Sequence, residues 1–229
     1  PVAGTPEGQA ALFDALAQRA TVYELADFAT RRQTLVTRLE DLATTERQRL
    51  QALNLRSGAL VDLAQAPDVD ALREAVDRAR ALGDDALAWQ LTRTLAWHWA
   101  MNDRAADAMA LLDACLPWMT GEAPAADRVS FRLARSSVHA FNDVLDAAIV
   151  EGDQAIDAAL ASQDLVNALP AISNVGLFHY WRGEYPQARQ RLELGRTLRD
   201  RHIGRAGAGI MLDMHLGAVL AELGEDEAA

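Results

Sequence analysis

Two histidines come closest to forming a chemical site in this chain. His139 and His179 are 40 residues apart (179 − 139 = 40), and each lies near the end of a segment with a helical pattern of apolar residues. Two imidazoles held close together can bind a metal ion or act as a proton switch. The alternative is a pair of core histidines, and both interpretations stay open. A helical enzyme domain that uses His139 and His179 is accordingly the weakest of the function hypotheses.

No other set of residues matches a known catalytic or metal site. The single cysteine, Cys115, lies among leucines and alanines, which indicates a buried structural thiol. All 22 basic residues are arginine, so the lysine of a Schiff base or of a phosphate-binding loop is absent. We find no nucleophile elbow, HExxH motif or CxxC pair. We therefore expect no catalytic residue, no cofactor and no metal ion in this segment.

The composition is that of an acidic, helical protein. Half of the 229 residues are hydrophobic, alanine and leucine are abundant, and only seven residues are proline. A net charge of −11 argues against nucleic acid as a partner, because phosphate neutralisation requires a basic surface. No apolar run approaches the ~18 residues needed to span a bilayer. We expect no membrane insertion by this segment and a cytoplasmic location, with a periplasmic sensory segment as the alternative.

The elements that would position these residues repeat along the chain. Ala96, Ser136 and Gly176 are spaced by 40 residues (136 − 96 = 40 and 176 − 136 = 40), and Gly217 follows after 41 (217 − 176 = 41). The segments 81–84 and 161–164, each ending in Asp, lie two periods apart. Such a period indicates stacked helical hairpins. Small residues at the equivalent positions would allow the two helices of a hairpin to approach closely.

One repeat carries a resemblance to a known family. Its residues are Val175-Gly176, then His179 where an aromatic residue is usual, then Gly183, Tyr185, Ala188 and Leu192. This pattern resembles the tetratricopeptide repeat, with units of about 40 residues instead of the usual ~34. The resemblance implies an all-α fold, a right-handed α-solenoid of helix-turn-helix repeats. We expect a helical N-terminal cap over residues 1–43 and about four units over residues 44–229, with helices of about 17 residues and the last unit truncated.

The resemblance also implies where a partner would bind. In the family, certain positions of the first helix of each unit line the concave groove, and the His139 and His179 position normally holds a core aromatic residue. Aromatic and methionine side chains suit an adaptable surface for a protein or peptide. The alternative is that these long helices bury the same side chains against each other. The groove residues predicted in this way are Arg93, Trp97, Met101, Phe141, Leu177, Tyr180, Trp181 and Met214.

Charge is segregated along the chain. No basic residue lies between Arg135 and Arg182, whereas the segment from Arg182 to Arg205 is rich in arginine. Neighbouring second helices would then carry opposite charge, with Glu151 and Arg191 close to one register. Mutual support of these helices is one interpretation, and an arginine-rich surface for an acidic partner is the other.

The resemblance leads to three expectations about function. Long-unit arrays resemble those of bacterial signalling proteins, including arrays that precede diguanylate cyclase domains, so the chain is expected to be a non-catalytic sensory or docking segment of a larger protein. A ligand-sensing domain of a transcription regulator is the alternative. Because the last unit lacks a second helix, we also expect apolar surface near Met211 and self-association at that end.

Overall fold

The computed structural model describes residues 5–25, 29–63, 65–120, 123–202 and 210–225. These residues contain α-helices and no β-strand, which confirms the predicted all-α class. The helices are α1 (Pro6–Leu25), α2 (Ala29–Leu42), α3 (Glu46–Asp62), α4 (Val69–Ala81), α5 (Asp85–Met101), α6 (Ala105–Asp113), α7 (Leu116–Thr120), α8 (Ala125–Phe141), α9 (Leu145–Ala161), α10 (Leu165–Trp181), α11 (Tyr185–His202) and α12 (Ile210–Glu222).

The chain forms two compact units, residues 1–98 and 99–229. In the first unit, α1, α2 and α3 pack around an apolar cluster that includes Phe13, Leu39 and Leu55. Local capping sets where two of these helices begin. At the start of α1, the hydroxyl of Thr5 accepts a hydrogen bond from the amide of Gly8. At the start of α3, the side chain of Gln48 accepts a hydrogen bond from the amide of Thr45, and the hydroxyl of Thr45 accepts one from the amide of Gln48.

The second unit is organised around α10. This helix packs against α8, α9, α11 and α12, and it contains no Asp, Glu, Lys or Arg. One face buries Ala168, Ile172 and Val175 in a cluster shared with α8 and α9. A second cluster lies between α11 and α12 and is built on Leu192 and Leu216. A helix without charge can be surrounded in this way at no desolvation cost for ionised side chains.

One type of turn recurs along the described chain. One residue adopts a positive φ, and the amide after it donates to a carbonyl five residues back, which closes the preceding helix. At Gly183, φ is 75° and the amide of Glu184 donates to His179 over 2.9 Å. The sequence predicts a positive φ for Gly183, because this glycine follows the end of a predicted helix, and the structure confirms it. The same geometry recurs at Gly83, Asp103, Asp143, Gln163 and Gly224.

Small residues set the distance between paired helices. A Cβ on Gly176 would lie 2.6 Å from Cγ of Leu192, so α10 and α11 contact each other where the repeat predicts a small side chain. The equivalent Ser136 is fully buried, and its hydroxyl donates to the carbonyl of Ala148 over 2.6 Å. Opposite Ser136 lies Gly152, where a Cβ would collide with Val175. Both hairpins therefore use a glycine to bring their two helices close together. This glycine is on the second helix, α9, in one hairpin and on the first helix, α10, in the other.

Two helix boundaries differ from what the sequence predicts. The apolar pattern of residues 22–42 predicts one helix, but α1 extends to Leu25 and α2 begins at Ala29. α6, the second helix of the unit that contains Ala96, ends at Asp113 and is therefore shorter than the predicted length of about 17 residues. Pro117 explains this end, because its ring would clash with the carbonyl four residues earlier and it has no amide to donate. The division into units falls within α5, and the proposed cap over residues 1–43 stays a prediction.

The substitution Gly176→Ala should lower the free energy of unfolding by about 1–2 kcal/mol. The added methyl group overlaps the Leu192 side chain, and this cost exceeds the gain of about 1 kcal/mol in helix propensity. Urea unfolding followed by circular dichroism measures the change. Ala158→Leu, at an exposed position of α9, is the control and should change stability by less than about 0.5 kcal/mol. An unchanged midpoint for Gly176→Ala would mean that the helices separate without cost.

Gln163→Gly should instead stabilise the protein, by about 0.5–1 kcal/mol. Gln163 has φ 56°, a conformation that costs a residue with a Cβ about 1–2 kcal/mol. Its neighbour Ser162 has φ −94°, so Ser162→Gly gains nothing in the folded state and should be destabilising. Thermal unfolding of both variants tests the turn, since an equal loss of stability in both would contradict it.

Candidate functional surface

Ten residues on α8 and α10 occupy equivalent positions along one side of each helix, and we call them the outer strip. It contains five positions on each helix, spaced by four, four, three and four residues so that they share one helix face. The α8 positions are each 40 residues before their α10 equivalents. The members are Ala126, Ser130, Ala134, Ser137 and Phe141 on α8, and Val166, Pro170, Asn174, Leu177 and Trp181 on α10.

The two halves of the outer strip are joined directly. The side-chain amide of Asn174 donates to the hydroxyl of Ser137 over 3.2 Å, and α8 packs against α10. Val166, Pro170 and Trp181 are exposed, Leu177 is half-buried, and Ser130 and Ser137 are buried. On α10, exposed apolar side chains therefore lie at both ends of the strip, and its middle is half-buried.

Large apolar side chains recur at the last residue of the first helices. Met101, Phe141 and Trp181 end α5, α8 and α10, and their exposed fractions are 50%, 41% and 47%. The Trp181 ring lies 5.7 Å from the ring of Phe178, which is buried in the core. Trp181 is thus supported on one side while much of its surface stays open to solvent. All of these residues belong to the second compact unit.

The other predicted groove residues lie in more varied places. Tyr180 is half-buried, packs against the α11–α12 cluster, and its ring is 5.7 Å from that of Tyr185. Met214, on α12, is exposed. In the first unit, Trp97 is exposed and Arg93 is half-buried. The concave groove itself stays a prediction, as does the contribution of each of these residues to it.

A polar contact between successive first helices was missed by sequence reasoning. The hydroxyl of Thr94 donates a hydrogen bond to Asn54 over 2.8 Å. Asn174 occupies the same repeat position as Thr94, and it contacts Ser137. The next equivalent is His215, whose Nδ1 lies 3.1 Å from the hydroxyl of Ser173. The signal was a polar residue recurring at 94, 174 and 215. This pattern is hard to recognise in the sequence because the three polar residues are of different types, and because the equivalent position on α8 is Ala134.

The two histidines of the candidate chemical site have different surroundings. Nδ1 of His179 lies 2.6 Å from a carboxylate oxygen of Glu184, five residues later, across the turn. The repeat register alone does not predict this carboxylate, which the turn brings back against the ring from five positions further along the chain. In the hairpin of His139, the residue equivalent to Glu184 is Val144. In the hairpin before it, Trp99 replaces the histidine, and the guanidinium of Arg104 lies over its ring.

Ion pairs occupy the charged sides of these helices. Arg191 on α11 contacts Asp153 on α9 over 2.9 Å, so the two second helices do pair. Glu151, the partner suggested by register, instead accepts hydrogen bonds from Arg132 and Arg135 on α8. Arg135 also contacts Asp113. These contacts favour mutual support of the helices over a free arginine-rich surface.

Among the residues that the structure describes, no group of three or more His, Cys, Asp or Glu side chains is arranged to hold a metal ion. No described helix is both long and apolar enough to cross a bilayer.

Comparison with known proteins gives a similarity of fold. No family model matches this chain, and no curated protein matches it. Among solved structures, the chain is similar to the crystal structure of BtubC (BKLC) from P. vanneervenii, with a TM-score of 0.63 and 15% sequence identity. The match covers 89% of this chain and 85% of that chain. At this level of identity the similarity supports the all-helical fold alone.

Acidification should test whether His139 acts as a proton-sensitive element. Burial lowers the pKa of His139, the Arg135 charge lowers this pKa further, and Glu151 and Asp113 oppose the shift. The unfolded chain therefore binds this proton first, and stability falls as pH drops below about 6.5. Urea unfolding at pH 8 and at pH 5.5 should show a smaller loss for His139→Gln than for the parent protein. Equal losses would mean that His139 contributes nothing to acid sensitivity.

Proposed function

We propose that this chain is a non-catalytic scaffold of tetratricopeptide-like repeats that binds a protein or peptide along the outer strip. The repeat architecture is supported by turns of one geometry at 40-residue spacing and by close helix contacts at Ser136 and Gly176. It is also supported by the packing of α10 against the first helices α8 and α12 and against the second helices α9 and α11. Contacts of this kind between successive hairpins are what a solenoid of helical repeats requires.

One observation carries the binding proposal. Met101, Phe141 and Trp181 occupy the same repeat position, and each leaves a large apolar side chain exposed. Single exposed apolar residues are ordinary, but a periodic series leaves apolar surface in water at every repeat. A partner that covers these side chains recovers that free energy, and aromatic anchors such as Trp181 contribute most to such interfaces. In the resembling family the positions of Met101, Phe141, Leu177 and Trp181 line the concave groove.

The wider role follows from the family resemblance. Long-unit arrays in bacterial signalling proteins act through bound partners and not through chemistry of their own. We propose that this segment has such a sensory or docking role within a larger protein. The two candidate histidines fit this role, since one is engaged by Glu184 and the other is half-buried beside Arg135.

Selection of peptides from a random phage-displayed library tests the proposal. We expect peptides that bind the parent protein and lose about tenfold or more in affinity on Trp181→Ala, as removal of an aromatic anchor costs about 2 kcal/mol. Isothermal titration calorimetry measures the affinity, and the helical circular-dichroism signal should stay unchanged.

Val150→Ala is the matched control, because Val150 is an equally exposed apolar residue on the second helix α9. It should leave the affinity within about twofold, as expected of a residue outside the interface. Failure to select any peptide that depends on Trp181 would refute the proposed binding surface. If the Trp181→Ala variant were unfolded, Trp181 would belong to the core. The peptide affinity of Phe141→Ala would then test the binding surface in its place.

A further inference from the structure

Two arginines of this chain lie over aromatic rings and are also paired with carboxylates. The guanidinium of Arg104 lies 4.3 Å from the centre of the Trp99 ring and contacts Asp107 over 2.8 Å. The guanidinium of Arg135 lies 5.7 Å from the centre of the Phe131 ring, and its carboxylate partners are described above. A guanidinium in such a place is attracted both by the face of the ring and by the carboxylate.

The turn after α8 has apolar surface and a carboxylate, but the chain supplies no cation to that carboxylate. Phe141 ends α8 with 41% of its surface exposed, and Val144, which follows the turn, is 42% exposed. Between them, Asp143 is exposed, and its side chain forms no hydrogen bond or ion pair within the described part of the chain. Val144 stands at the repeat position of Arg104, so the arginine of the preceding hairpin has no equivalent here.

The turn after α10 lies against this region. Arg182, which follows Trp181, contacts Asp146 in the first turn of α9 over 2.7 Å, so the ends of the two hairpins meet. Arg182 also contacts Glu184 over 2.9 Å. Its positive charge is therefore already matched by two carboxylates. We call the exposed residues of these two turns the hairpin edge, and its members are Phe141, Asp143, Val144 and Trp181.

The charge around the hairpin edge favours a cation. Segments 141–146 and 181–184 together contain three acidic residues and one arginine, within a chain whose net charge is −11. A positively charged partner is attracted by such a surface, whereas an acidic partner is repelled by it. The exposed apolar groups on either side of Asp143 can also cover the aliphatic part of a long basic side chain.

We propose that the partner bound at the hairpin edge is a basic peptide segment. One arginine of the segment lies against Phe141 and pairs with Asp143, and a neighbouring apolar side chain covers Trp181. Arginine suits this place better than lysine, because its planar guanidinium can stack on a ring while it binds a carboxylate. This inference rests on the proposed function, and it specifies the chemistry of the partner.

The experiment uses the peptides selected on the parent protein that depend on Trp181. We expect these peptides to share an arginine and to bind more weakly as the salt concentration rises. Asp143→Asn should weaken their binding about tenfold or more, because a hydrogen bond between two charged groups is lost. Asparagine tolerates a positive φ, so the fold should be kept. The control is Asp157→Asn, at an exposed position of α9, which should leave the affinity within about twofold.

Asp143→Gly separates binding from folding. Asp143 has φ 58°, so glycine removes the carboxylate and also relieves the backbone. The melting temperature should therefore rise while the peptide affinity falls as it does for Asp143→Asn. Gln163→Gly relieves the turn after α9 in the same way, and it should raise the melting temperature and leave the affinity unchanged. An equal fall of affinity in both glycine variants would assign the effect to the turns and overturn the role of the Asp143 carboxylate.

A charge exchange tests the pair itself. Glu in place of the shared arginine of the peptide should weaken binding to the parent protein, and Asp143→Arg should recover binding of that altered peptide. Peptides that depend on Trp181 but share no basic residue, and that bind Asp143→Asn as tightly as the parent, would overturn this inference while the binding surface stands. Selection that yields no peptide dependent on Trp181 would overturn both proposals.

A second copy of the chain is the other source of an arginine. Arg196 and Arg201 are exposed on α11 and could supply the cation. Sedimentation equilibrium of the protein alone should show no dimer that is lost on Asp143→Asn. A dimer of that kind would overturn the peptide assignment and make the hairpin edge an interface between copies.

Discussion

The turn between helices is the constraint on which the rest of the structure depends. At six places in the described chain, one residue adopts the left-handed conformation and the amide that follows it donates to a carbonyl five residues back. Glycine meets this requirement without strain at Gly83 and Gly183, while Asp143 and Gln163 meet it at some cost. Because the turn fixes the direction of the next helix, the same register of side chains recurs after every period. The outer strip exists only because that register is kept.

The turn also links stability to the candidate surface. The side chain of the residue after the left-handed position contacts the last turn of the preceding helix. In one hairpin this residue is Glu184, which contacts His179, and in another it is Arg104, which lies over the ring of Trp99. Asp84 and Asp164 use this place differently, since each closes one helix and caps the next. Met101, Phe141 and Trp181 precede these turns directly. Their exposure therefore follows from where the helix ends.

Close helix contacts determine how much of α10 is left open. Gly176 lets α11 approach one side of α10, and Val175 fills the space above Gly152 on another. With α8 and α12 also in contact, the remaining face is narrow and contains the strip residues Val166, Pro170, Leu177 and Trp181. The absence of charge along α10 serves both purposes, because its buried faces need no counter-ions and its open face stays neutral. One helix thereby connects the packing of the second unit with the proposed binding chemistry.

The sequence by itself determined the helical class, the 40-residue period, the small residue at Gly176 and the positive φ at Gly183. These features depend on residue type and local geometry, which are read without knowledge of distant contacts. The end of α6 was in principle readable from Pro117, but the regular period concealed it. The pairing of Glu151 with Arg132 and Arg135, and of Arg191 with Asp153, was decided only by the tertiary structure. A shift of one turn along a helix changes which charges meet, and the period does not specify such a shift. The exposure of Trp181, in contrast to the packing of its neighbour Tyr180, was likewise set by where α11 and α12 lie.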